Sequence, residues 1–326
     1  MTVSGQTPIL DIASVFEAKD RLHGKLHRTP LQRSESIRLD LGVDAYLKLE
    51  CLQRTGSFKP RGALNKLLTL STEQCRKGVV GVSGGNHAQG LAYAARSLGL
   101  KATICMPATT PRNYLEATRG YGAEVVLCPD IVSAFAEGRR LRDLGMAEVH
   151  PFDDPFVAAG QGTVGLEILE DLPDVSTVFV SIGGGGLISG VATALRRQRP
   201  DIRVIGVETA GADAMARSIA AGGLIDMPAI TSIARTLGAP RVSEFTLAHV
   251  RSLVEEVVVV DDAEAFSAMK FVLERAKILA EPAAACCLAA ARRRAGSFRA
   301  GEKVVILLCG GNASLDDMAQ WSARFG

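Results

Sequence analysis

Short apolar runs alternate with longer amphipathic segments along most of this chain. The runs predict β-strands, because buried parallel strands are apolar nearly throughout and half-buried strands alternate apolar with polar residues. The predicted strands span 45–50, 79–82, 102–106, 124–127, 178–182, 203–207, 257–260 and 304–308. Helical periodicity predicts helices at 58–70, 87–98, 112–120, 131–144, 160–170 and 187–198. This order of elements predicts parallel βα units, with helices on both faces of each sheet.

Three of the predicted strands contain almost no polar residue, namely 178–182, 257–260 and 304–308. Strands of this composition are typical of the centre of a parallel sheet, where both faces are covered by helices. We therefore expect all three strands to lie in the middle of a deeply buried sheet in the C-terminal half.

The length of the chain, 326 residues, exceeds the size at which a single hydrophobic core usually stops growing. Residues 70–148 form a compact group of βα repeats that ends near the proline-containing stretch 151–155. These features predict an α/β fold with two lobes, each a mainly parallel twisted sheet covered by helices. We place the large domain at 1–69 and 149–326 and a small mobile domain at 70–148. A cleft between the two lobes is the expected ligand site.

The charge pattern argues against a nucleic acid or a membrane as partner. The net charge is only +2, and the run Arg292-Arg293-Arg294 is interpreted as a solvated helix end. Acidic residues such as Asp11 and Glu17 interrupt the apolar positions near the N-terminus, and no apolar stretch approaches the ~18 residues of a membrane span. We therefore expect a cytoplasmic protein that acts on a small molecule.

The seven cysteines show no Cys-x-x-Cys spacing, so the sequence predicts neither a disulfide framework nor a structural zinc site. Most of these cysteines are expected to be buried as small apolar residues in a reducing compartment.

Two segments at strand-to-helix junctions carry candidate chemistry in the first half of the chain. Lys59 opens a predicted helix, where the helix dipole disfavours a cation, so its placement needs a reason. A surface lysine beside a capped turn is the plain alternative. The second segment, 83–87, combines Ser83, glycines and Asn86 at the start of a helix, where backbone N–H groups can bind a carboxylate. A glycine-rich turn capped by Asn86, with His87 as a core histidine, is the plain alternative there.

Two further junctions lie in the second half. The run Gly183, Gly184, Gly185, Gly186 and Leu187 lets the backbone approach an anion closely, and the following helix favours a phosphate. This run also imitates part of a dinucleotide-binding fingerprint, with Glu208 about where a ribose-binding acid would lie, so an NAD-binding oxidoreductase is the competing class. The glycine spacing fits that fingerprint imperfectly. Cys309 follows the last buried strand, at the sheet edge where ligands bind.

Taken together, these segments resemble the fold-type II pyridoxal 5′-phosphate (PLP) enzymes, specifically the threonine/serine dehydratase and serine racemase group. The resemblance covers nearly the whole chain and is carried by segments 28–31, 49–59, 83–89, 151–155, 160–163, 183–187 and 308–312. It implies a fold like that of the tryptophan synthase β subunit, with PLP bound mainly by the large domain.

The resemblance also implies roles for individual residues around the cofactor. Lys59 would bind PLP as a Schiff base and later act as the catalytic base, which suits a buried lysine with a lowered pKa. Phe58 would flank the pyridine ring, Asn86 would donate to its 3-oxygen, and the backbone amides of 183–187 would hold the phosphate. Cys309 would face the pyridine nitrogen.

On the substrate side, the resemblance implies that Ser83, Gly84, Asn86 and His87 bind the amino-acid carboxylate, with Ser83 also catalytic. The implied reaction is that of a lyase, which eliminates water from threonine, serine or a 3-hydroxy analogue to give a 2-oxo acid and ammonia. An amino-acid racemase or another β-elimination enzyme of the same fold is the alternative within the family. Analogy with the family further implies a homo-oligomer, either a dimer or a tetramer.

The chain departs from the family pattern at three places. Racemases of the group carry a second serine where this chain has Gly84, so we expect weak or absent racemisation. Metal-dependent members of the group have the pattern Glu, Ala, Asp, Asp at this place. The last acid of the pattern is replaced by Ala214 in this chain, so we expect no metal site beside Glu208. Threonine dehydratases usually show Ala-Asp-Gly where this chain has Ala234, Arg235 and Thr236. Arg235 is either a plain surface arginine or a residue that adapts the pocket to another substrate, such as 3-hydroxyaspartate.

Overall fold

The computed structural model describes residues 9–326. Its strands are β1 Leu31–Arg33, β2 Asp44–Lys48, β3 Val79–Val82, β4 Ala102–Pro107, β5 Glu124–Cys128, β6 Ala147–Glu148, β7 Thr177–Ser181, β8 Arg203–Thr209, β9 Glu256–Val260 and β10 Lys303–Leu307. Its helices are α1 Ile12–Leu22, α2 Glu35–Leu41, α3 Lys59–Leu67, α4 Thr72–Lys77, α5 Asn86–Ser97, α6 Arg112–Gly120, α7 Ile131–Asp143, α8 Pro155–Asp171, α9 Gly186–Gln198, α10 Ala214–Ala220, α11 Glu244–Leu253, α12 Asp262–Phe271, α13 Pro282–Arg293 and α14 Leu315–Phe325. Within the described residues, no helix is both long and apolar enough to cross a bilayer.

The strands form two sheets. The larger has the order β1-β2-β10-β7-β8-β9 and is parallel except for β1, which pairs antiparallel with β2. The smaller has the order β5-β4-β3-β6 and is parallel throughout. These sheets confirm the predicted α/β fold with mainly parallel strands covered by helices. The smaller sheet lies inside the 70–148 segment, while the exact domain boundaries stay a prediction.

Buried apolar side chains form a continuous core around the larger sheet, and β7 and most of β10 are buried in it. A separate cluster joins the smaller sheet to α3 and α5. Helix α3 therefore packs against elements of both lobes, and the residue at its N-terminus lies where the lobes meet.

The prediction that 257–260 is a central strand is wrong. The corresponding strand, β9, is the edge strand of the larger sheet, and Val257, Val258 and Val259 are only half-buried. Helices α10 and α13 contact β9, so its valines are shielded by helices even though one edge has no neighbouring strand. Apolar composition thus reports that the faces of a strand are covered, and not how many strands flank it.

Helix α8 begins five residues before the predicted start at 160. The Asp154 carboxylate accepts hydrogen bonds from the backbone N–H groups of Phe156 and Val157, at 2.8 and 3.1 Å. Pro155 occupies the first helical position, where a missing N–H costs nothing. An aspartate followed by proline is therefore the true start signal of this helix.

A largely buried ion network holds α3 in place two residues after Lys59. The Arg61 guanidinium donates to both oxygens of Glu50, each at 2.8 Å, and to Glu167 at 2.7 Å. Lys48 also pairs with Glu167, and both charged ends of the Arg61 pair with Glu50 are almost completely buried. Buried charges are tolerated only when they are paired in this way, so the network fixes the start of α3 against β2 and α8.

Candidate active site

A cleft of about 610 Å³ lies between the two sheets. All four segments singled out from the sequence line it, at 58–59, 83–87, 183–187 and Cys309. The structure therefore brings together every predicted site residue, although these residues come from widely separated parts of the chain. A cleft of this size is typical of a site for a small molecule or a cofactor.

Lys59 is the first residue of α3 and points into the cleft. Its Nζ donates a hydrogen bond to the carbonyl oxygen of Pro151 at 2.8 Å and lies 5.2 Å from the centre of the Phe58 ring. Burial lowers the pKa of the Lys59 amine to about 8, because the charged form loses solvation. A neutral, nucleophilic amine is therefore accessible near neutral pH.

Helix α5 packs directly against the backbone of Lys59. A Cβ atom at Gly90 would lie 2.8 Å from the Lys59 Cβ, so only glycine permits this approach. The contact joins the helix that carries the lysine to the helix that opens with Asn86.

The tetraglycine turn forms a concave backbone surface at the start of α9. Gly185 has a φ of +95°, a conformation that favours glycine. A Cβ atom at Gly184 would lie 2.0 Å from the Phe152 ring, and one at Gly186 would lie 2.9 Å from the Phe152 Cα. The first backbone N–H groups of α9 have no partner within the helix, so this turn suits the phosphate of a bound ligand.

Cys309 is buried at the opposite end of β10 from Lys303, with its Sγ 3.7 Å from the Ser181 hydroxyl. Ser181 also contacts the thiol of Cys287, at 3.2 Å. Burial raises the pKa of the Cys309 thiol well above its usual value, so the thiol stays protonated and uncharged.

The 83–87 turn presents its backbone to the cleft. The Ser83 hydroxyl oxygen accepts from the Gly85 N–H at 3.1 Å, which leaves the hydroxyl hydrogen free for a ligand. The His87 Nε2–H donates to the carbonyl oxygen of Val149 at 2.9 Å. Burial lowers the pKa of His87 to about 3, so its ring is neutral. The ring therefore contributes no positive charge, and a carboxylate at this turn would depend on backbone N–H groups and Ser83.

Glu281 is a site residue that the sequence analysis missed. Its buried carboxyl accepts from Asn86 Nδ2 and from Thr236 Oγ1, both at 2.8 Å, and from the Asn312 N–H at 3.2 Å. Burial raises the pKa of Glu281 above its usual range. The only sequence signal is an acidic residue just before Pro282, at the start of α13, and its partners are too distant along the chain to be anticipated.

Arg235 and Glu208 occupy contrasting positions. Arg235 lines the cleft, keeps more than half of its side chain exposed and lies 3.6 Å from Asp317. Glu208 is buried and accepts from the backbone N–H groups of Met215 and Ala216, at 2.9 and 2.8 Å. Because the N-terminal backbone of α10 binds both carboxyl oxygens of Glu208, the competing interpretation of Glu208 as a ribose ligand loses its basis. Among residues 9–326 there is no cluster of three or more metal-ligating side chains.

Comparison with known proteins shows the family to which this chain belongs. Residues 23–310 match the family of pyridoxal-phosphate dependent enzymes, and the chain belongs to it. An L-threonine ammonia-lyase of Geobacter sulfurreducens is 44% identical over 306 residues, which cover 93% of this chain and 76% of that protein. The L-threonine dehydratase catabolic TdcB of Staphylococcus aureus is 43% identical and covers 96% of this chain and 92% of its own length.

Two solved structures are also similar to this chain. Maize serine racemase superposes with a TM-score of 0.91 at 38% identity, over 97% of this chain and 98% of that one. The processed form of threonine deaminase isoform 2 from Solanum lycopersicum gives 0.90 at 33% identity, over 100% and 99%. These comparisons confirm the predicted family, the PLP cofactor and the lyase class.

The residues present fit the cofactor. A lysine amine with a lowered pKa meets the need for an aldehyde-binding group, and the glycine turn leaves open the space that side chains would fill. An uncharged thiol, Cys309, lines the same cleft. Lys59, the 183–187 turn and Cys309 therefore stay the groups predicted to hold the aldehyde, the phosphate and the ring nitrogen.

Proposed function

We propose that this enzyme is an ammonia-lyase that eliminates water from L-threonine or L-serine and releases the 2-oxo acid and ammonia. The single observation that carries the proposal is the position of the Lys59 amine. It lies in a cleft that also contains a glycine turn suited to a phosphate and a second turn suited to a carboxylate. The names of the relatives, L-threonine ammonia-lyase and L-threonine dehydratase, support this choice of substrate.

The roles of the protein groups follow from their surroundings. Pyridoxal phosphate, when bound, supplies an aldehyde that captures the substrate amino group and a conjugated ring that withdraws electrons from the α-carbon. The Lys59 amine, neutral above a pKa of about 8, accepts the α-proton. The backbone N–H groups of the 83–87 turn and the free Ser83 hydroxyl hydrogen orient the substrate carboxylate.

The remaining groups select among the reactions that the cofactor can support. The Phe58 ring packs beside Lys59 and limits the space around its amine. The Cys309 thiol stays uncharged, so it does not stabilise a proton on the ring nitrogen as a carboxylate would. This favours elimination over transamination. We further propose that the enzyme is cytoplasmic and forms a homodimer or homotetramer, and light scattering of the purified protein tests the oligomeric state.

The proposed activity is tested by measuring ammonia release from a panel of β-hydroxy amino acids. Lys59→Ala should lower the rate by at least about 10³-fold, because it removes the base and the aldehyde-binding group. Borohydride treatment of the purified holoenzyme should attach a pyridoxyl group to Lys59, detected by peptide mass. Lys270→Ala, on an exposed position of α12, is the matched control and should keep full activity. Ammonia release that survives in Lys59→Ala would contradict the proposal.

A racemase is the alternative within the family, and chiral analysis of the products separates the two activities. With Gly84 in the turn, we expect little D-serine from L-serine. D-serine formed as fast as ammonia would favour the racemase.

A further inference from the structure

Thr110 places an unpaired hydroxyl group in the active-site cleft. This residue lies in the loop between β4 and α6, and it lines the same cleft as Lys59 and the 83–87 turn. Its Oγ1 atom is buried, yet it has no hydrogen-bond partner among the described residues. Buried hydroxyl groups in folded proteins nearly always have a partner, so an orphaned one that lines a ligand site is available to bond to the ligand.

The position of this hydroxyl relative to Gly84 defines what it faces. A Cβ atom at Gly84 would lie 2.6 Å from Thr110 Oγ1, so the hydroxyl occupies the space that a side chain at position 84 would otherwise need. The Thr110 hydroxyl therefore lies directly against the turn that the proposed function assigns to the substrate carboxylate.

We propose that Thr110 is a further substrate-binding residue, whose hydroxyl donates a hydrogen bond to the carboxylate of the amino-acid substrate at the 83–87 turn. This inference rests on the proposed function of the turn. A carboxylate accepts several hydrogen bonds, and the free hydrogen of Ser83 and the N–H groups at the start of α5 approach it from the turn itself. Thr110 adds a donor from a different element, the loop that precedes α6.

A second orphaned atom in the cleft supports the assignment by contrast. His87 Nδ1 is also buried without a partner, but its ring donates through Nε2 to Val149, so Nδ1 carries no proton and can only accept. Two acceptors do not bond to each other, so His87 Nδ1 cannot form a hydrogen bond with a carboxylate. Thr110 is the orphaned cleft group, within the described part of the chain, that can donate.

A hydroxyl group lies next to Gly84 even though position 84 itself has no side chain, and it comes from Thr110. No described side chain bonds to Thr110 Oγ1, so none of the described residues can relay a proton to it or from it. The expectation of weak racemisation is therefore retained on this new ground.

The experiment compares Thr110→Val, which removes the hydroxyl at constant shape, with Thr110→Ser, which keeps it. Loss of a hydrogen bond to a charged group should raise the KM of Thr110→Val for its amino-acid substrate by about 10- to 100-fold. The kcat should change by less than about threefold, because carboxylate binding is common to the ground and transition states. Thr110→Ser should stay within about threefold of the wild type in both constants. Thr72→Val, at an exposed threonine of α4 that does not line the cleft, is the matched control and should behave as wild type.

A second measurement isolates the carboxylate. L-alanine has a carboxylate but no leaving group, whereas ethanolamine has no carboxylate. The binding of each ligand to the holoenzyme can be followed by the visible absorption of the cofactor. Thr110→Val should weaken L-alanine binding by about 10-fold or more and leave ethanolamine binding unchanged. A wild-type KM in Thr110→Val, or equal loss of affinity for both ligands, would overturn the assignment. So would a fall in kcat alone, which would place the hydroxyl at the leaving group.

The failure of this inference is distinguishable from the failure of the proposed function. If the wild-type enzyme releases no ammonia from any β-hydroxy amino acid, the proposed function is wrong. The L-alanine and ethanolamine titrations do not depend on that activity, so they still decide the role of Thr110. An unchanged cofactor spectrum and an unchanged circular dichroism spectrum establish that the Thr110 variants are folded and loaded.

Discussion

Asn86 Nδ2 donates a hydrogen bond to Glu281 Oε1 at 2.8 Å, although the two residues are 195 positions apart in the sequence. Asn86 opens α5 beside the smaller sheet, and Glu281 precedes α13 on the larger sheet. The bond therefore joins the two lobes at the edge of the active-site cleft, next to the turn proposed to bind the substrate.

Replacement of Glu281 should loosen this connection. Glu281→Ala leaves the donors of Asn86, Thr236 and Asn312 without their acceptor, so we expect the free energy of unfolding to fall by about 1–3 kcal/mol. Glu281→Gln keeps a carbonyl oxygen and should lose less than half as much. Urea unfolding of the holoenzyme measures both changes, and equal losses would show that the acceptor oxygen is not what matters.

Gly184→Ala should impair cofactor binding. The new methyl group would lie 2.0 Å from the Phe152 ring, and the ring and the turn must move apart to relieve the overlap. We expect PLP affinity to fall at least about 10-fold, because a displaced turn no longer aims its amides at the phosphate. Fluorescence titration of the apoenzyme with PLP gives the dissociation constant. Gly223→Ala, at a glycine with nothing within 4 Å, is the control and should bind PLP normally.

Arg61 should be essential for stability. Arg61→Ala leaves the Glu50 carboxylate without its ion-pair partner, which typically costs about 3–5 kcal/mol for a buried pair, whereas Glu167 still pairs with Lys48. Arg61→Lys should recover only part of the loss, because an ammonium cannot form the two-pronged contact with Glu50. Removal of the exposed ion pair by Arg112→Ala should leave the unfolding midpoint unchanged. A wild-type midpoint in Arg61→Ala would contradict the structural role of the network.

Glu208 should make stability depend on pH. Burial raises its pKa from an ordinary value of 4.5 to about 8, so the folded state holds this proton more tightly than the unfolded chain does. The stabilisation is complete below pH 4.5 and is lost as the pH rises to 8, by up to about 1.4 kcal/mol per pH unit. Glu208→Gln does not titrate. As the pH rises across this range, the wild type should therefore lose unfolding free energy relative to Glu208→Gln. A difference between the two proteins that is constant with pH would refute the raised pKa.

Arg235 should influence which substrate is preferred, because it lines the cleft and more than half of its side chain is exposed. Arg235→Ala is then expected to lower kcat/KM for 3-hydroxyaspartate about 10-fold or more relative to threonine, through the lost charge pair. The ratio of the two kcat/KM values in wild type and variant is the measurement. An unchanged ratio would leave Arg235 as a surface residue paired with Asp317.

Much of the fold could be predicted from local pattern. The predicted strand 79–82 coincides with β3, and the predicted helix 112–120 coincides with α6, because each contrasts sharply with its flanking residues. The three-residue strand β1 was not predicted, since Leu31–Arg33 is too short to show alternation. The edge position of β9 depends on the order of strands in space, which composition does not encode.

The active site divides in the same way into predictable and unpredictable residues. Lys59 and the glycine turn belong to contiguous motifs, and the family resemblance that predicts the cofactor site rests on such motifs. Glu281 and Thr110 have no motif of their own, because their relevance comes from contacts with Asn86 and Gly84 that only the packed fold creates. Residues of that kind are invisible to periodicity and to spacing.

The strand order of the larger sheet has a consequence for biosynthesis. Strand β10 lies between β2 and β7, so the central seam of that sheet is filled by a strand that is synthesised after all its neighbours. The smaller sheet uses only β3 to β6 and can assemble much earlier. A nascent chain that stops short of Leu307 would expose the apolar flanks of β2 and β7, which makes premature termination a route to aggregation.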